Sequence, residues 1–434
     1  MTPISAAPRF EAREWNACGA TQFYGKKKKR SYIVEVSLTE QIRGDLLQQA
    51  VDKALKRLPY YGSTFVRRKG LYYYADNDLP VLVAKSEKPR VIGGEITNYH
   101  MLDVTYWGNK ISFAMFHGLC DGLGFNRWIE AVLYHYVCLK DGKVYNDEGI
   151  YTDRVPYDPA ERADIHTQRR KASIRKVKAM MGTEKRFRLP ELMENKVDRM
   201  YSLPLKVKTG DFLGWCKANG ASPAAGAAAI MTQAIAREND VREGVIMSVL
   251  PISLRKALQV EKTFKNCYAA IFLPTAPEDA RRLPAGELAA KLRAGMRAQM
   301  TGEFPGLVCA GMNTQIHLGA KMPTYYLKNK VLAMGENNPQ DTFYVDYVGG
   351  LRCNDYADQI TGVRYLNAPP PNGATFVLMS ETAGCFHITF TQTIDSDRYY
   401  LAFAAILDEL GIPYEKLPFE SYLNPVVELP QEQR

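Results

Sequence analysis

The chain has no apolar run approaching the roughly 18 residues that a membrane-spanning helix needs, so nothing in it reads as a span. Residues Met1 to Asn16 mix Arg9 and Arg13 with Glu11 and Glu14 and hold no apolar stretch of signal-peptide length. No G-x-G-x-x-G and no phosphate-binding loop occurs, which leaves nucleotide chemistry without a motif. The eight cysteines (Cys18, Cys120, Cys138, Cys216, Cys267, Cys309, Cys353 and Cys385) stand far apart without a C-x-x-C pair. Zinc and dithiol redox chemistry therefore lack support, and reduced thiols in a cytoplasmic protein are the expectation. His100, His135, His166, His317 and His387 show no metal-ligand spacing, and His387 lies in a strand pattern that suits a structural residue.

What is present is an ordinary globular composition at a length that calls for two cores. Hydrophobic residues make up 46% and charged residues 24% of 434 positions, and 26 Tyr with 17 Phe favour sheets as the scaffold. The formal charge is +9, with five consecutive cations from Lys26 to Arg30. No helix-turn-helix, finger or base-stacking motif accompanies that run, so nucleic acid is not an expected partner. A solvated basic surface, one that also suits a phosphate-bearing cosubstrate, is the simpler reading.

Period-two and period-3.6 patterns then divide the chain. Ser31 to Val36 reads as a strand; Ser37 and Glu40 form a capping-box pattern ahead of an amphipathic helix that Pro59 ends. Hairpins are predicted at Arg68-Lys69-Gly70 and at Gly108-Asn109. The segment 157–199 is dense in Arg and Lys and reads as a crossover between a first unit, 1–156, and a second, 200–434. In the second unit the pattern predicts strands at 201–207, 244–252, 267–273, 342–348, 374–380 and 385–392. Helices are predicted at 211–219, 222–235, 285–300, 325–334 and 398–410, and Pro369 to Gly373 marks a loop. The class is α/β or α+β with mixed sheets flanked by helices.

One segment carries chemistry: Ile111-Ser112-Phe113-Ala114-Met115-Phe116-His117-Gly118-Leu119-Cys120-Asp121-Gly122. An apolar strand runs up to His117, and Phe125, Trp128, Ile129, Val132 and Leu133 mark a helix beginning after Asp121. Histidine, with an ordinary pKa of about 6.5, is the side chain suited to proton transfer at neutral pH. An isolated His at a strand end is ordinarily a satisfied polar residue, and an Asp before a helix is ordinarily its cap. Cys120 stands three residues from His117, but that spacing alone provides no Cys-His nucleophile geometry, and buried packing is the expectation for it.

The stretch Phe116 to Gly122 resembles the H-x-x-x-D-G signature of the chloramphenicol acetyltransferase-like superfamily of CoA-dependent acyltransferases. That group includes nonribosomal condensation domains, wax-ester synthases, plant acyltransferases and alcohol acetyltransferases, and the nearest likeness is to bacterial alcohol acetyltransferase-like members. The helix of Thr39 to Leu58, the Leu250 to Arg255 segment, Lys265-Asn266 and Tyr347-Val348-Gly349 fall in matching order. Two departures stand out. Condensation domains often carry a second histidine where this chain has Phe116, and Asp346-Tyr347-Val348-Gly349 replaces the family's Ser-Asn-x-Gly or Asp-Phe-Gly segment.

The resemblance implies two chloramphenicol acetyltransferase-like subdomains with a channel between them. It implies His117 as general base, Asp121 as a structural acid paired with Arg255, and an amide near Gly122 as oxyanion support. It also implies acyl-CoA, acetyl-CoA by preference, as a cosubstrate without a permanently bound cofactor. The acceptor is then a small-molecule alcohol or amine. A pantetheine arm on an acyl carrier protein is the alternative donor, and a non-catalytic binding or scaffold protein is the alternative class.

Overall fold

In the strand Lys110–Phe116, every residue from Ile111 to Phe116 is buried, so both of its faces are covered. One face meets the helix Gly122–Asp141, where Phe113 sets its ring edge-on to Trp128 at 5.8 Å. On the other face, Phe116 meets Phe23 and Phe65. This strand is central to a five-stranded sheet ordered Ile360–Asn367, Ser31–Leu38, Lys110–Phe116, Leu102–Trp107 and Val83–Lys85. The computed structural model describes residues 8–24, 31–167, 184–191, 199–334, 341–367, 375–423, 427–430 and 432. The cation run at 26–30, the loop at 369–373 and most of the basic crossover lie outside them.

The second sheet has eight strands, in the order Tyr268–Thr275, Ile246–Ser253, Phe343–Gly349, Thr375–Thr382, Cys385–Gln392, Arg199–Lys208 and Tyr414–Lys416, with Glu420–Leu423 also on Arg199–Lys208. Helices Pro223–Glu238, Ala285–Met300 and Arg398–Glu409 bury their apolar sides in its core. Ser222 caps the first of these, its hydroxyl accepting from the Ala225 amide, with Pro223 in the first turn. A three-stranded sheet of Ala12–Trp15, Leu71–Ala75 and Thr64–Arg68 covers the first. Its hairpin turns through Lys69 and Gly70, both at positive φ.

Three features differ from the sequence reading. Ser37 and Glu40 form no capping box: strand Ser31–Leu38 runs through Ser37, and the helix starts later, at Gly44, with no side-chain cap. The Thr39 amide that a Ser37 cap would have served donates instead to Gln359 O at 3.0 Å. Helix Phe304–Ala320 was not predicted, because Pro305, Gly306, Gly311 and Gly319 dilute its pattern. Strand Ile360–Asn367, also unpredicted, leaves the second half of the chain and pairs antiparallel with Ser31–Leu38 as an edge of the first sheet. Among the described residues no helix is long and apolar enough to cross a membrane.

Candidate active site

His117 is the first residue past the central strand, and a turn closes behind it with Leu119 N donating to Phe116 O at 2.8 Å. Three successive carbonyls of this turn are held by side chains from distant segments. Asn266 Nδ2 donates to His117 O at 2.9 Å, Asn16 Nδ2 to Gly118 O at 2.7 Å, and the Tyr60 hydroxyl to Leu119 O. A loop without ladder partners is thereby fixed in one geometry. Gly118 is required here, since a Cβ would fall 2.4 Å from the Phe116 ring.

The half-buried imidazole lies between Tyr32, at 5.8 Å between ring centroids, and Tyr268, at 5.5 Å. Burial lowers the His117 pKa below its ordinary value. Its own carbonyl, the Asp121 charge and Asn266 pull less strongly the other way. The ring is thus neutral, the form a base needs, at neutral pH. Its Nδ1 is buried without a hydrogen-bond partner, and so is Oδ1 of Asn266.

Asp121 caps helix Gly122–Asp141, Oδ1 accepting from Gly124 N at 2.8 Å. Both its oxygens also meet Arg255, Nη2 to Oδ1 and Nη1 to Oδ2 at 2.8 Å each, and Cys267 N donates to Oδ2 at 2.9 Å. Arg255 places its remaining donors on Thr263 O and Lys265 O, both at 3.0 Å. The pair is buried and its polar atoms are spent on one another and on backbone, which ties the His117 turn to the second sheet. Gly122 is the first helical residue; a Cβ there would approach the Tyr32 hydroxyl to 2.8 Å.

Cys120 is fully buried with Sγ 3.1 Å from Met115 Sδ, and burial pushes its thiol up, so it stays protonated and unreactive. Among the described residues no three His, Cys, Asp or Glu side chains gather in a way that could hold a metal ion.

Sequence reasoning did not find Tyr32 and Tyr268. Each looks like an ordinary strand aromatic, and only the pairing of distant strands brings it to His117. The Tyr32 hydroxyl is buried without a partner, whereas that of Tyr268 accepts from Gln22 Nε2 at 2.8 Å. Tyr32 also approaches Tyr365, at 6.1 Å between centroids, whose hydroxyl donates to Asn126 Oδ1 at 3.0 Å. Asn126 in turn lines a cavity of about 570 Å³ with Leu123, Arg127, Glu130, Tyr151 and Arg352. That cavity borders the first turns of the helix after His117.

No family model matches the chain, and no curated protein matches its sequence. Solved structures do match, over nearly the whole length. TRI101 of F. graminearum, complexed with ethyl coenzyme A, superposes with a TM-score of 0.60 at 9% identity, over 94% of this chain and 99% of that one. The trichothecene 15-O-acetyltransferase TRI3 of Fusarium sporotrichioides gives 0.57 at 9%, over 92% and 97%. Polyketide synthase associated protein 5 of Mycobacterium tuberculosis gives 0.58 at 14%, over 94% and 98%. The chain shares their fold. It is the mixed α/β architecture of two sheets flanked by helices, with His117 where the central strand of one sheet ends against the edge of the other.

Proposed function

We propose that the chain moves an acyl group from a thioester to an alcohol or amine, with His117 as the general base. The observation that supports this most is a neutral imidazole set between the two sheets, on a turn whose carbonyls are pinned by Asn266, Asn16 and Tyr60. His117 takes the O–H or N–H proton as that atom attacks the thioester carbonyl. A tetrahedral oxyanion forms, and we assign its stabilisation to the first-turn amides at Gly122, which the helix itself leaves without partners. Collapse breaks the C–S bond, and the imidazolium returns the proton to the departing thiolate. Asp121 and Arg255 touch no substrate in this scheme; they hold the turn.

Acyl-CoA fits as the donor. TRI101 was solved with a coenzyme A derivative, and Arg127 and Arg352 at the cavity beside the helix start suit a polyanionic cosubstrate. A carrier-borne pantetheine presents the same thioester, and the likeness to a polyketide synthase associated protein supports it as the second reading. The test is incubation with mixed acyl-CoAs and acceptors, with thiol release as readout. His117→Ala is expected to lose about 10²–10⁴ in rate while melting like the parent. Near-parental turnover in that variant, with a verified donor, rules out the mechanism.

A further inference from the structure

Strand Ser31–Leu38 pairs antiparallel with Lys110–Phe116 so that Tyr32 stands directly opposite Met115. His117 follows Met115 by two residues, so alternation puts Tyr32, Met115 and His117 on one face of the sheet. The rings bear this out, Tyr32 meeting His117 edge to face at 5.8 Å between centroids. The far end of the tyrosine reaches the start of helix Gly122–Asp141. There its hydroxyl lies 2.8 Å from the position that a Cβ on Gly122 would take. One side chain thus borders both the proposed base and the first-turn amides assigned to the oxyanion.

Tyr32 is 2% exposed, and among the described residues its buried hydroxyl has no hydrogen-bond partner. The other tyrosines around the site are engaged. Tyr268 accepts from Gln22 Nε2, Tyr60 donates to Leu119 O, Tyr61 to Gly124 O and Tyr365 to Asn126 Oδ1. A buried phenol that no protein group satisfies costs stability, and phenylalanine would fill the same space without that cost. Burial raises the Tyr32 pKa well above its ordinary value, so the group remains a donor at any assay pH. A donor kept unsatisfied beside a base is set for an oxygen that arrives with the substrate.

We propose that the Tyr32 hydroxyl is a further oxyanion donor, hydrogen-bonding the thioester carbonyl oxygen together with the Gly122 amide. As the acceptor atom attacks the carbonyl carbon, the C=O π pair moves onto that oxygen. The phenol O–H strengthens its hydrogen bond to the oxygen without giving up its proton. On collapse the pair re-forms the carbonyl, the C–S bond breaks, and the proton held by His117 passes to the thiolate. The proposal rests on the transferase reading and adds to it a residue from the neighbouring strand.

Tyr32→Phe removes one oxygen atom and keeps the ring against His117. The donors for the test are acetyl-CoA, palmitoyl-CoA and S-acetylpantetheine, with butanol and butylamine as acceptors. The variant is expected to lose about 10²-fold or more in kcat, the size of one oxyanion donor, with KM little changed. Hydrolysis of the same thioesters without acceptor should fall by a similar factor, since the same oxyanion forms when water attacks. Its melting temperature should equal or exceed the parent's, because an unsatisfied hydroxyl is gone. Parental kcat in Tyr32→Phe, or a loss confined to acceptor KM, overturns the assignment while the transferase reading stands. So does a loss of transfer without a loss of hydrolysis. A rate loss matched by a lower melting temperature makes Tyr32 a structural residue and overturns it as well. If the parent turns over none of these thioesters, with or without acceptor, the transferase reading falls and the role of Tyr32 with it.

Discussion

The proposed base is useful only while it is unprotonated, and the surroundings of His117 favour that state. Burial depresses its pKa, so the neutral ring persists as pH falls past the value of about 6.5 that governs an exposed histidine. The acid limb of kcat/KM is therefore expected below about 6.5. A limb clearly above the exposed value would mean that the site stabilises the imidazolium, contrary to a resting base. His117, Asp121 and Gly122 were legible in sequence because strand, turn and helix start are contiguous there. Asn266 was visible within a segment in matching order, but its contact with the His117 turn arises only from packing between the sheets. Nothing local distinguishes Tyr32 from a core aromatic.

At the scale of elements, the Asp121–Arg255 pair joins the start of helix Gly122–Asp141 to the short helix Arg255–Leu258, which follows a strand of the other sheet. If the carboxylate were only a cap, Asp121→Ala would cost about 1 kcal/mol. As one half of a buried pair its loss should cost roughly 3–5 kcal/mol, because Arg255 is left buried and uncompensated. Thermal melts of Asp121→Ala, Arg255→Ala and the double variant distinguish the two. The double variant is expected to be less destabilised than the sum of the singles, and strict additivity would show that the residues do not interact. Helices such as Ala285–Met300 and strands such as Cys385–Gln392 were readable because their own periodicity decides them. Ile360–Asn367 was not, since an eight-residue edge strand containing Gly362 gains its stability from a partner far away in the chain.

For the whole molecule that same strand is the seam. Ile360–Asn367 belongs to the first sheet by hydrogen bonding, yet Ser380 Oγ donates to Val363 O from the second sheet at 2.5 Å. Gly362 lies against the His387 ring, where a Cβ would stand 3.1 Å from Cε1. His387 is buried there with neither ring nitrogen hydrogen-bonded, and burial, with Lys206 and Arg364 adding to it, lowers its pKa to about 4. In the unfolded chain the same ring takes a proton near 6.5. Between those two values the unfolded state binds the proton and the folded state does not. Stability is therefore fully present above about 6.5 and declines as pH falls toward 4. His135, also lowered to about 4 by burial, adds to the same window. Melting temperature should thus drop between pH values of about 7 and 5, and His387→Leu should flatten part of that drop, because the titrating group and its unsatisfied nitrogens go together. A variant with the parental slope across that window would show that the seam does not exclude the protonated ring, and acid sensitivity would have to originate elsewhere.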